Sequence, residues 1–352
     1  MLPPKEKVSL TEIARLAGVS SATVSRAISP RTARLVKPET LEKIRKIQEK
    51  LNYRHNVLAR NMRKQMTETI TLAAPLDTYS NPHHSDFAIF SARNVMFFFR
   101  HILDEALNLG YDVKMTPIPN QDNLDRILER IGFPYSDGAI LFGIHQLREL
   151  HESLVKRNIP NVIFSNHLIE DLPDASIVAT SCDAAYADAV KFLYRQGHRK
   201  IAFALPGPIN DSISDLLQGR FRAWRNAMLD VGLYDEKMLI GFEDELDIRA
   251  WLNEHHRKMP FTALFCSGDA IAARFAREVK LLGLKTPDDI AIIGHGQNPI
   301  LIEREGLATI GGSNRDYARA VVNRLIGIIE NTAPFKGTQV IPVSFIKGMT
   351  CQ

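Results

Sequence analysis

Hydrophobic positions along the chain follow two different rhythms, which change near residue 66. At the start, Ser9-Leu10-Thr11-Glu12 has the pattern of a capping box, with a serine hydroxyl able to cap a helix and Glu12 able to reach back to it. Leu10, Ile13, Ala14, Leu16 and Ala17 follow at helical spacing, and Gly18 is placed to stop the helix in the left-handed conformation. Ser20 is a second N-cap, opening a helix from Ser21 to about Ile28. Val24 and Ala27 mark its inner face, leaving Ser21, Ala22, Ser25 and Arg26 outside. A third helix, Pro38–Leu51, carries Leu41, Ile44, Ile47 and Leu51 on one face. Two short helices across a Gly-containing turn, closed by a third, predict a helix-turn-helix unit.

From Thr69 the rhythm becomes short β-rich runs alternating with amphipathic helices. The strand-like runs are Ile70–Ala74, Ala139–Phe142, Val162–Phe164, Lys200–Ala204, Ala263–Cys266 and Ile290–Ile293. Helical segments fall between and after them at Arg100–Leu109, Asp122–Ile131, Ala184–Gln196, Arg220–Val231, Asp269–Leu282 and Arg315–Glu330. This alternation predicts parallel sheets covered on both faces, and nearly 280 residues of it predict two lobes.

Composition is that of an ordinary globular protein: 352 residues, 45% hydrophobic and 24% charged. The net charge of +4 hides an asymmetry. Residues 1–66 hold 15 Lys and Arg against 5 Asp and Glu, a charge of +10, and the remainder holds 29 against 35, a charge of −6. A basic head suits a polyanion and a mildly acidic body does not. On the second helix, small and polar side chains would allow close approach to a major groove, with Arg26 reaching phosphate or a guanine edge.

At this point the segments Val8-Ser9-Leu10-Thr11-Glu12-Ile13-Ala14, Ala17-Gly18-Val19-Ser20, Ala22-Thr23-Val24-Ser25-Arg26 and Leu51-Asn52-Tyr53 resemble the LacI/GalR bacterial transcription regulators. The resemblance implies that Thr11, Ser20, Thr23, Ser25 and Arg26 contact or support phosphate, with Ser21 and Ala22 reading bases. Arg31, Arg34 and Lys37, in a loop slightly longer than the family's, are expected to add phosphate contacts. Residues 54–66 match the family's hinge helix, which folds on DNA. Asn56 and Ala59 match its minor-groove positions, and Met62 stands where a leucine wedge is usual.

Through the body the resemblance continues in Asp137-Gly138-Ala139-Ile140, Gly197-His198-Arg199-Lys200, Ser267-Gly268-Asp269 and Pro287-Asp288-Asp289-Ile290, among others. It implies an α/β core of two lobes, similar to periplasmic sugar-binding proteins and joined by three crossings. Lobe one is expected over 67–177 and 298–331, and lobe two over 178–297 and 332–352. A small-molecule, carbohydrate-like effector (sugar, sugar acid or sugar phosphate) is expected in the cleft at Arg220, Asp269, His295 and Gln297. The family's ligand-binding Asn is Gly268 here, and its late aspartate pair is replaced within Gly294-His295-Gly296-Gln297. These losses argue against a plain neutral monosaccharide and leave open both an anionic effector and a rearranged sugar site. About eleven additional residues around Ser85–Met96 form an insertion near the expected cleft mouth, suited to a lid, a ligand contact, surface decoration or altered dimer packing.

Other function classes fit less well. His83-His84 and His255-His256 lack a third ligand at metal spacing, and Gly311-Gly312-Ser313 lacks a nucleophile-elbow frame, so neither an enzyme nor a metal or other cofactor is expected. A solute-binding protein would explain the body but not the basic head. The charged start at Met1–Lys7 has no secretory pattern, no apolar run spans a bilayer, and Cys182, Cys266 and Cys351 are scattered singly. The expectation is a cytoplasmic regulator of double-stranded operator DNA. It should be a homodimer, since the chain stops after its last strand pattern without a heptad extension.

Overall fold

In the computed structural model, residues 9–28, 32–53, 65–74, 86–118, 124–143, 147–206, 215–242 and 245–352 are described. The head consists of α1 (Leu10–Ala17), α2 (Ser21–Ile28) and α3 (Pro38–Lys50). Ser9 Oγ accepts from the Glu12 N–H at 3.2 Å, forming the expected cap. Gly18, at φ 68°, ends α1, and the Val19 N–H returns to the Ala14 carbonyl at 3.0 Å. Ser20 Oγ accepts from the Thr23 N–H at 3.1 Å to start α2. Ile13, Ala14, Ala17, Val24, Ala27 and Ile44 are buried together, so one face of each helix is spent on a private core.

The body is built on two six-stranded sheets. Its elements in order are β1 (Thr69–Ala74), α4 (Asp86–Asn108), β2 (Asp112–Pro117), α5 (Leu124–Leu128), β3 (Gly138–Phe142), α6 (Leu147–Lys156), β4 (Asn161–Ser165) and β5 (Ser176–Ser181). There follow α7 (Asp183–Arg195), β6 (Ile201–Pro206), α8 (Asp215–Asp230), β7 (Leu239–Phe242), α9 (Glu245–His255), β8 (Ala263–Cys266), α10 (Asp269–Leu281) and β9 (Ala291–His295). The last are α11 (Pro299–Glu305), β10 (Ala308–Gly311), α12 (Asn314–Ile329), β11 (Gly337–Pro342) and β12 (Ser344–Ile346). Sheet one runs β11-β5-β4-β3-β1-β2 and sheet two β12-β10-β9-β8-β6-β7. Every pairing is parallel except β10 with β12. The central strands are apolar on both faces because helices cover both.

Strand membership moves the expected lobe boundaries. β5 belongs wholly to sheet one, where Ile177 pairs with Ile163 of β4, so the first crossing is at residue 182 rather than between 177 and 178. β10 pairs with β9 in sheet two, placing residues 298–311 in lobe two and the second crossing near Gly312. β11 pairs with β5 along its length, so 337–342 return to lobe one and the last crossing is at Val343. The hydrophobic pattern could not show this, because β10 has four residues and β11 is an almost wholly exposed edge strand. At the second crossing the approach is close: a Cβ at Gly312 would lie 2.3 Å from the Tyr317 hydroxyl.

Two other expectations change. The helix expected over 122–131 is described only as the short α5, with Asp122 outside the described residues. Of the insertion around Ser85–Met96, residues 86–96 belong to α4, a 23-residue helix that begins well before the expected start at Arg100. Where the body begins, Asp137 holds the incoming chain. Its carboxylate accepts from the Thr67 N–H at 2.6 Å, the Thr67 hydroxyl at 2.9 Å and the Glu68 N–H at 2.7 Å. Gln65 and Glu68 sit at positive φ, 54° and 53°, a backbone that costs non-glycine residues energy and that this clamp stabilises. Asp137→Ala should therefore destabilise the protein by roughly 2 kcal/mol, measured by urea unfolding, because it leaves part-buried donors without an acceptor.

Candidate functional site

The outer face of α2 is prepared for contact. Its inner residues Val24 and Ala27 are buried, while Ser21, Ala22, Ser25 and Arg26 are exposed and Thr23 is half-buried. Thr11 on α1 and Ser20 are also exposed. Ser20 and Thr23 hydroxyls lie 2.9 Å apart, so each helps orient the other beside the N-terminus of α2. Arg34 and Lys37 are exposed beyond it, and Thr32 Oγ1 donates to the Arg26 carbonyl at 2.9 Å, folding that loop against α2. Arg31 and the hinge positions Asn56, Ala59 and Met62 lie outside the described residues.

The second constellation gathers at the C-terminal ends of the strands of sheet two. Arg220 projects from α8, and its Nη1 donates to the carbonyl of Ser267, the residue after β8. Burial lowers the Arg220 pKa, and the nearby Tyr186, Cys182, Asp269 and Tyr317 work in the opposite direction. Its Nε–H is buried with no hydrogen-bond partner. His295 ends β9; its Nδ1 is 3.3 Å from the Tyr186 hydroxyl, and the two rings stack at 5.9 Å. Burial, helped by Arg220, holds the His295 pKa well below its usual value and the ring neutral. Gln297 occupies a positive φ of 52°, and its Oε1 is buried without a partner. Tyr317 on α12 adds a hydroxyl from lobe one, with Phe164 of β4 at 5.7 Å beside it.

Asp269 is brought to the same end of the sheet but directs its oxygens into the protein. Oδ2 accepts from the Asn298 N–H at 2.7 Å and Oδ1 from the Thr309 hydroxyl at 2.6 Å, tying α10 to the start of α11 and to β10. Burial pushes its carboxyl up to about 6, against the pull of those two hydrogen bonds and of Arg220. Asp269 therefore fixes the segment that carries Gln297 and does not offer a free carboxylate. Sequence reasoning missed Tyr186, Ser267 and Tyr317: each is an unremarkable polar position until the two sheets meet. Among the described residues no group of three His, Cys, Asp or Glu could hold a metal ion, and no helix is long and apolar enough to cross a membrane.

Comparison with known proteins bears on both constellations. Residues 9–56 match the family model for bacterial regulatory proteins of the lacI family, and residues 190–351 match a periplasmic binding protein-like domain. The sucrose operon repressor of Escherichia coli is 30% identical over 294 residues, covering 81% of this chain and 83% of that protein. This chain belongs to the lacI family. Catabolite control protein A of Priestia megaterium is 28% identical over 296 residues, 82% of each chain. The lac repressor dimer bound to operator and an anti-inducer has the same fold, with a TM-score of 0.72 at 20% identity over 99% of this chain and 100% of that one. The chain is thus a ligand-responsive, DNA-binding transcriptional regulator with a helix-turn-helix head and a two-lobed core. Its curated relatives are regulators, and the solute-binding or enzymatic alternative is not favoured.

Asp269 supplies a test with a defined sign. Its folded pKa near 6 exceeds the ordinary 3.8, so the folded state holds that proton more tightly. Its contribution to stability is greatest below about pH 4 and falls as pH rises to about 6. Relative to Asp269→Asn, which does not titrate, the wild type should lose about 2 kcal/mol between pH 4 and 7, read from denaturant unfolding. A constant difference between the two proteins would show that Asp269 titrates normally.

Proposed function

We propose that this protein is a cytoplasmic repressor that binds a two-fold symmetric operator as a homodimer and responds to a small, carbohydrate-like effector held between its lobes. The observation that carries the DNA half is α2 itself. One face is sealed into the head's core, and the other presents Ser21, Ala22, Ser25 and Arg26 from a helix whose N-terminus is free to approach a groove. Ser21 and Ala22 read base edges, and Thr11, Ser20, Thr23, Ser25 and Arg26 hold or support phosphate. Asn56, Ala59 and Met62 act in the minor groove, with Met62 as the apolar wedge. Repressor names among the relatives support the direction of control.

A row of exposed apolar side chains supports the dimer. Met96, Leu103 and Leu107 occupy helically related positions along α4, and Met115 lies on the neighbouring edge strand β2. The effector site is the cleft lined by Arg220, His295 and Gln297. Solved relatives of this fold hold cellobiose or lactose. β1 and β3 run from the Asp137 clamp, where the chain arrives from the hinge, towards the cleft end of sheet one. A ligand that shifts the lobes thereby alters how the paired hinges are presented, and operator and effector affinities are coupled reciprocally.

Two measurements check this reading. Arg26→Ala should weaken operator and random-sequence DNA together and lower the salt slope by about 2 for a dimer with one phosphate contact per protomer; a loss confined to operator would make Arg26 a base reader. Sedimentation equilibrium should give a dimer that Leu103→Glu with Leu107→Glu converts to monomer. A stable tetramer, or a dimer indifferent to both changes, contradicts the proposed interface.

A further inference from the structure

One glycine of α8 is placed by the opposite lobe. Gly219 lies inside Asp215–Asp230 on ordinary helical backbone, where glycine is among the poorest helix formers and no left-handed conformation calls for it. What excludes a side chain is space. A Cβ built at Gly219 would meet the His167 Cβ at 2.9 Å and the Asn166 carbonyl oxygen at 3.9 Å. Both belong to the loop that leaves β4 in lobe one, whereas α8 lies between β6 and β7 of lobe two. The lobes therefore touch here through backbone and Cβ atoms, which a change of rotamer does not move aside.

Neither side of this contact yields easily. Ser165 Oγ accepts from the His167 N–H at 3.2 Å and lies 3.5 Å from the ring Nδ1, tying the loop to the end of β4. On the other side, Ala223, Trp224, Ala227 and Met228 are buried and seat α8 in lobe two, where it packs along α7. Arg220, the next residue, holds the Ser267 carbonyl. The Gly219 carbonyl accepts from the Cys182 thiol at 3.7 Å, and Cys182 is the first crossing between the lobes. Carbon atoms pack at roughly 3.5–4.0 Å, so an added Cβ requires about 1 Å of separation. Beside a crossing, that separation becomes a rotation whose displacement grows towards the far rim of the cleft.

We propose that Gly219 and the Asn166–His167 loop form a stop that sets the spacing of the lobes, glycine permitting the close arrangement seen here and any larger residue holding the cleft wider. Gly219 is a positioning residue for the regulatory switch and acts without touching the effector. Its effect on DNA rests on the proposed coupling of the lobes to the hinges. The test uses full-length dimers with one protomer spin-labelled at Glu152→Cys on α6 and Asn226→Cys on α8, the distance between labels being read by pulsed electron spin resonance. Both positions are exposed, and the native Cys182, Cys266 and Cys351 are buried. Gly219→Ala should lengthen that distance by about 2 Å, the scale of a repacked interface. It should also change affinity for an operator selected from random duplexes by roughly fivefold or more, with random-sequence DNA bound as before. Adding His167→Gly should restore both wild-type values, whereas adding His167→Ala, which keeps the Cβ, should not. An unchanged distance in Gly219→Ala, or no rescue by His167→Gly, overturns the stop. Rescue by His167→Ala overturns it too, by placing the obstacle in the ring. A lengthened, rescuable distance with unchanged operator affinity leaves the stop standing and removes the coupling to the hinges instead.

Discussion

The core depends on the buried carboxylate of Asp269. An ion buried at the start of a helix is costly unless donors meet it, and here a backbone N–H and a threonine hydroxyl do so from two other elements. Those two bonds join α10, the Asn298 turn and β10, which are separated in sequence by up to 40 residues. Gln297 precedes Asn298 and His295 ends the strand just before, so the anchor also sets the geometry of one cleft wall. Close by, Arg220 reaches the Ser267 carbonyl, two residues before Asp269.

A similar device operates in lobe one. Asp137 gathers three donors from Thr67 and Glu68, fixing where the chain from the DNA-binding head joins β1. Rigid parallel strands run between this clamp and the cleft. On the proposed coupling, the basic reader and the acidic sensor meet through the part-buried Asp137 clamp and the strands that run from it.

Much of this was legible in the residues. Helix caps, helical apolar spacing and Gly18 marked the three helices of the head, since each is a local signal acting over three or four residues. The central strands were equally plain because burial on both faces leaves unbroken apolar runs. What stayed hidden was non-local. Ala308–Gly311 is too short to announce a strand, and Gly337–Pro342 is an exposed edge whose identity comes only from pairing with β5. Both displaced the lobe boundaries. Asp269 was recognisable as a site residue, but not that its oxygens would turn inward, because Thr309 and the Asn298 N–H become its partners only once β9 and β10 are paired.

Selection of duplexes from a random-sequence pool by the full-length protein tests the central claim most directly. A head of this kind on a symmetric dimer predicts enrichment of a two-fold symmetric sequence, bound with an affinity that falls steeply as salt is raised. Recovery of no consensus, or of a single asymmetric site bound by one protomer, would contradict the account.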